Sequence, residues 1–204
     1  DGQSYIVEVA ANDGYLLQYA KARGIPCLGI EPTTSTADAA RKKGIEIIEA
    51  FFGVELANKM VEQGQQADLT AANNVLAHVQ DINDFVAGFS ILLKPNGVAT
   101  FEFPHLLKLV NENQFDTIYH EHLSFFNSKS MLALAERAGL TIIDIVKTPI
   151  HGTSYLFVMA LPGVCDVNDT VQEQLELEQE QGLHDLSKYP AYTERCYEIV
   201  TQLK

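Results

Sequence analysis

Tryptophan is absent from these 204 residues, cysteine occurs three times, and Lys and Arg together number 14 against 27 Asp and Glu. Each shortage excludes something. Cys27, Cys165 and Cys196 are scattered, show no C-x-x-C spacing and leave an odd count that intramolecular disulfides cannot use up, so a reducing, cytoplasmic setting is expected. A formal net charge of −13, relieved by no basic cluster, repels a polyphosphate backbone and argues against nucleic acid, while a cationic ligand is compatible with it. No apolar run approaches the ~20 residues that cross a bilayer. The opening DGQSYIVEV lacks the basic and apolar regions of a secretory signal. No membrane partner is expected. With 47% hydrophobic residues the chain can bury one sizeable core.

The first 160 residues alternate short β-branched runs with helical patterns of about ten residues, the signature of βαβ units around a mainly parallel sheet. Strands are expected near 5–10, 26–31, 45–50, 67–73, 97–103, 140–147 and 153–161. Helices are expected over Gly14 to Arg23 and Thr36 to Lys43, stopped by Gly24 and Gly44, and near 53–63, 82–93 and 128–138. Lys94-Pro95-Asn96-Gly97 predicts a turn between helix and strand. The last two strands are joined by too few residues for a parallel crossover and predict an antiparallel hairpin. The fold class is therefore doubly wound α/β, with a seven-stranded sheet ending in that hairpin.

Residues 1–162 read as this domain. From 163 the composition turns acidic, with nine Asp/Glu against three Lys/Arg and apolar Val171 and Leu175 four apart, which predicts an amphipathic helical extension. Starting at a strand and ending in a helix, the chain reads as a piece of something longer, with the extension leading to a further domain.

In a doubly wound sheet the ligand meets strand ends and helix N-termini. The first strand runs Ile6-Val7-Glu8-Val9 into Ala10-Ala11-Asn12-Asp13-Gly14. A dinucleotide pyrophosphate needs G-x-G-x-x-G there, so that backbone can approach it. This turn has one glycine and two carboxylates, Glu8 and Asp13, which suit an ammonium or sulfonium. The second strand ends Gly29-Ile30-Glu31-Pro32, placing Glu31 where an acid accepts both ribose hydroxyls. S-adenosyl-L-methionine offers a cation and a ribose without phosphate, and fits both signals better than NAD.

The stretches VEVAANDGYLL, LGIEP, AANNVLAHVQDINDFV, ENQFDTIYHEHLSFF and HGTSY resemble the sugar C-methyltransferases over about residues 5–161. The resemblance implies a class I methyltransferase fold and S-adenosylmethionine as cofactor. It also implies a small-molecule acceptor, a nucleotide-linked 4-keto-6-deoxy sugar methylated at C3. The family's zinc-binding domain has no counterpart in these residues, so no zinc is predicted. The resemblance further implies cofactor contacts at Asn73 and Asn74, which follow the fourth strand, a place for His78 in the substrate pocket, and sugar contacts at His151, Gly152 and Ser154.

Methylating a carbon beside a ketone requires a base to remove its proton and a donor to stabilise the enolate. Within Tyr119-His120-Glu121-His122, His122 is the expected base, with Glu121 fixing its tautomer. Tyr119 and His78 are expected electrophilic helpers. In an extended segment His120 would face away from His122, so only one would line the pocket. A metal held by these adjacent residues is discounted, because they cannot easily converge on one ion. Glu49 and Phe51, ending the third strand, could reach the adenine. Two other functions fit the same residues: an O- or N-methyltransferase of a small acceptor, and a non-catalytic binding module that has kept the fold.

Overall fold

A computed structural model describes residues 4–150 and 153–203. The apolar runs form β1 (Ile6–Val9), β2 (Cys27–Ile30), β3 (Glu46–Ile48), β4 (Ala67–Asn73), β5 (Leu93–Pro104), β6 (Thr141–Thr148) and β7 (Ser154–Ala160). They make one sheet in the order β3-β2-β1-β4-β5-β7-β6. The first five strands are parallel. β7 is antiparallel to both β5 and β6, as the short connection requires.

The helices are α1 (Leu17–Ala22), α2 (Thr34–Lys42), α3 (Val54–Glu62), α4 (Ile82–Leu92), α5 (Leu106–Asn111), α6 (Ser128–Arg137), α7 (Asp169–Glu180) and α8 (Tyr189–Gln202). Val7, Val9, Phe101, Phe103 and Phe157 of the sheet pack with Phe85 and Phe89 of α4 and with Met131 and Leu134 of α6 in the main core. A second cluster joins Leu17 of α1 and Ala37 and Ala40 of α2 to Ile45 and Ile47. None of the described helices is long and apolar enough to cross a membrane.

Three expectations need correction. The first helix begins at Leu17, not Gly14, because Asn12 (φ 52°) and Gly14 (φ 73°) are left-handed and cannot open a right-handed helix. Lys94 to Gly97 is no turn. Neither Asn96 nor Gly97 has positive φ, and the stretch lies within β5 as an irregularity where pairing with β4 jumps from Ala67↔Leu93 to Leu69↔Val98. The acidic extension does not simply lead away: α7 packs on β6 and α6, and Val171 joins the main core.

The strand order reverses between β1 and β4, and at such a switch point the strand ends splay to leave a crevice.

Candidate active site

That crevice is a cavity of about 680 Å³, within the range that holds a cofactor-sized ligand. Val9 and Ala10 line it from β1, Ile30 and Pro32 from β2, and Ala50, Phe51 and Phe52 from the end of β3. His78, Val79, His120, Glu121 and Leu123 close the far side.

The turn after β1 is shaped by alternate left-handed residues: Ala10 (φ 57°), Asn12 (φ 52°) and Gly14 (φ 73°). Only Gly14 adopts this without strain, and a Cβ there would lie 2.3 Å from Ile45 Cδ1, so the position is fixed by packing as well. Glu31, nearly buried, locks the turn. Its Oε2 accepts from Asn12 N–H at 3.1 Å and its Oε1 from Thr33 N–H at 2.9 Å. Each oxygen keeps a second lone pair, so a ribose diol can still be accepted.

The two carboxylates of the first turn do not supply the charge expected of them. Glu8 is 1% exposed, and burial, with a smaller push from Asp13, raises its carboxyl to about 8, so it is mainly neutral at pH 7. Its Oε2 is buried without a partner. Asp13 points out to Lys43 at 2.7 Å, and the hydrogen bond from that ammonium holds it below the usual carboxylate range.

The Phe51-Phe52 pair divides. Phe52 packs edge-on against Phe89 at 4.9 Å, whereas Phe51 is 86% exposed on the cavity wall. Glu49 turns away, held by Thr34 and by Arg41 at 3.1 Å, and does not line the cavity. Asn73 ends β4, paired with Glu102 of β5, and Asn74 (φ 50°) gives its N–H to Glu102 O at 2.7 Å. Both stand at the end of β4 but outside the cavity's wall.

The Tyr-His-Glu-His segment is brought against His78, though not in the expected pattern. A turn, His122 N–H to Tyr119 O at 3.0 Å, replaces the extended course. His120 and Glu121 consequently line the large cavity. His122 instead folds into a small adjoining recess, with ring centroids 4.4 Å from Tyr119 and 4.7 Å from His78. Its Nδ1 lies 2.7 Å from Thr117 O. A carbonyl only accepts, so Nδ1 carries a hydrogen; in the neutral ring Nε2 then keeps the lone pair, onto which Tyr119 Oη–H donates across 3.3 Å. The Thr117 backbone therefore fixes the tautomer, and the Glu121 side chain does not: its carboxylate faces His120 at 3.8 Å. His78 Nδ1 lies 3.0 Å from Glu121 O, so by the same argument its Nε2 is an acceptor. A neutral His78 therefore accepts at Nε2, whereas its imidazolium would donate there.

Ser154 is buried beside Pro104 at the start of β7, away from the cavity. His151 and Gly152 lie outside the described residues. His105, to which the sequence assigned nothing, is fully buried, its ring stacked on Tyr155 at 4.1 Å. No local pattern marks it, because Tyr155, on which its ring stacks, is distant in sequence.

A crevice at the switch point of an open α/β sheet is where such folds bind their ligands, and the comparisons narrow the class. A family described as a methyltransferase domain matches residues 2–145, and the chain belongs to it. It is 33% identical over 201 residues to the C-methyltransferase NovU of Streptomyces niveus, covering 98% of this chain and 48% of that protein. It is 24% identical over 94 residues, 46% of this chain, to the ubiquinone biosynthesis O-methyltransferase of a Chelativorans strain, covering 37% of it. The chain thus spans less than half the length of these curated relatives. The crystal structure of magnesium protoporphyrin IX methyltransferase from Synechocystis with bound SAH shares the fold. Its TM-score is 0.58 at 13% identity, over 78% of this chain and 74% of that one. The chain is thus a methyltransferase domain with the class I fold that S-adenosylmethionine-dependent methyltransferases share.

Proposed function

We propose that the chain is the methyl-transferring part of a C-methyltransferase acting on a carbon beside a ketone, with His122 as base and a nucleotide-linked keto sugar as acceptor. The carrying observation is the His122 geometry: Nδ1–H held by Thr117 O leaves Nε2 of the neutral ring as the base, beneath the Tyr119 hydroxyl and in ring contact with the cavity-lining His78. The C-methyltransferase relative supports the reaction type, and the resemblance of the ENQFDTIYHEHLSFF and HGTSY stretches supports the acceptor.

The residues present suit the cofactor. Glu31 would take the ribose hydroxyls with its remaining lone pairs, Pro32 and Phe51 would flank the adenine, and the unpartnered Oε2 of Glu8 beside Ala10 would meet the methionine end. Asn12, Asp13 and Gly14 would shape the turn at that end, with Asn73 and Asn74 behind the wall at the end of β4. When bound, S-adenosylmethionine supplies the electrophilic methyl group that the enolate carbon accepts. His122 Nε2 takes the proton from that carbon. The Tyr119 hydroxyl, freed from Nε2 as the imidazole protonates, donates instead to the enolate oxygen. His78, which lines the cavity with its ring tilted against that of His122, would in its neutral form accept a hydrogen bond from an acceptor hydroxyl.

The test is solvent exchange. With S-adenosylhomocysteine present and no methyl donor, full-length enzyme in D2O should exchange the C–H beside the ketone of a nucleotide-linked 4-keto-6-deoxy sugar. His122→Gln should slow this by about 10²–10⁴-fold, the usual worth of a general base. The O-methyltransferase relative supports a second reading, in which His122 deprotonates a hydroxyl. Methyl transfer to an acceptor without any C–H exchange would favour it.

A further inference from the structure

Residues 105–128 carry Tyr119, Glu121 and His122 with little regular structure of their own, only the six-residue α5 and the single turn Phe115–Thr117. Their two ends meet on one side chain. His105 Nε2 lies 3.1 Å from Glu178 Oε1, both side chains fully buried. Ser128 N–H, at the other end, donates to the same oxygen at 2.9 Å. The neck is closed beside them by Leu106 N–H to Phe126 O at 2.9 Å.

Glu178 belongs to α7, 50 residues beyond Ser128. His105 Nδ1 accepts from Leu107 N–H at 3.1 Å, so its proton sits on Nε2, the atom facing the carboxylate. Burial pushes the Glu178 carboxyl up, but the contacts from His105 and Ser128 outweigh it and hold it below the usual range. Gln174 Nε2 at 3.4 Å and His184 Nε2 at 3.5 Å complete its surroundings. The same C-terminal helices grip the segment farther out. Arg195 of α8 donates to Asn113 Oδ1 at 3.1 Å and to Val110 O at 3.2 Å, and Asn111 bonds Gln181.

A buried carboxylate is costly unless its partners offset its desolvation, and an apolar side chain would serve packing alone at least as well. What the carboxylate adds is register, since one oxygen fixes two chain ends at once. We propose that Glu178 is a positioning residue, clamping both ends of the segment that aims His122, so that the C-terminal extension is part of the active site. This rests on the reading of His122 as the base.

Amide hydrogen exchange and the NMR titration of the His122 imidazole test it on this chain, with S-adenosylhomocysteine as the binding probe. Glu178→Ala should raise exchange within 106–126 by about thirtyfold, from loss of the charge-assisted hydrogen bond from Ser128 and of the His105 contact, and shift the His122 titration. Exchange in β1–β4 and the affinity for the probe should stay within about twofold. Glu178→Gln keeps an accepting oxygen, and should raise exchange by only about threefold. It serves alone if the alanine variant does not fold. Unchanged exchange in 106–126, a rise shared equally by β4 and β5, or an unmoved His122 titration would overturn the proposal. Neither readout depends on chemistry, so a wrong assignment of His122 shows separately, as solvent exchange or methyl transfer surviving in His122→Gln.

Discussion

The two walls of the active-site crevice are held in different ways. The β1–β3 wall stands on strand ends and on contacts between neighbouring loops: Glu31 ties the first turn to the second through two backbone N–H groups. The opposite wall, residues 105–128, stands on contacts to α7 and α8, 50 to 85 residues downstream. A wall built from local elements is preformed with the sheet. One built from distant anchors depends on everything between, and can be perturbed without disturbing the first.

The largest effect should fall on the second wall alone. His122→Gln is expected to cost about 10²–10⁴ in C–H exchange or methyl transfer while leaving S-adenosylhomocysteine affinity within twofold, as read by calorimetry. The next falls on the first wall and depends on pH. The Glu8 carboxyl is raised to about 8 in the folded chain, from about 4.5 when unfolded. Its stabilising share is complete below the unfolded value and is lost as pH climbs toward 8. The parent should therefore lose on the order of 3 kcal/mol relative to Glu8→Gln between about pH 4.5 and 8, checked by urea unfolding at both ends. A cationic ligand should pull that carboxyl back down, so binding near pH 7 should release a proton.

Smaller effects concern the first turn. Gly14→Ala meets both a positive φ and Ile45 Cδ1 at 2.3 Å, and should cost about 2 kcal/mol of stability. Ala10→Gly runs the other way: relief of its left-handed strain (φ 57°) should exceed the entropy lost, raising stability by up to about 1 kcal/mol in the same assay. If Gly14→Ala also loosened 105–128, the independence of the two walls would be lost.

The contrast also explains what could be read from the sequence. The seven strands and their closing hairpin were legible because each is a local apolar run with its own punctuation, and Gly24 and Gly44 do end helices with φ of 69° and 74°. Glu31 does stand at the strand end where the sequence placed it, tied there to two backbone N–H groups. The errors share a cause. Burial, which neutralises Glu8, cannot be read from a strand-end acid, and the Lys43 that neutralises Asp13 arrives from 30 residues away. His122 was singled out by its neighbours Tyr119 and Glu121, but its orienting group is a backbone carbonyl, which carries no sequence signal. His105 and Glu178 were invisible because their pairing exists only once α7 has docked.

The most direct test is calorimetry of S-adenosylhomocysteine with the parent, Glu31→Ala and His122→Gln. The expected result is binding by the parent, a loss of about tenfold or more in Glu31→Ala from the ribose contacts and the untied turn, and no change in His122→Gln. A folded parent that does not bind, or equal losses in the two variants, would contradict the account of a preformed cofactor wall facing a separately anchored catalytic one.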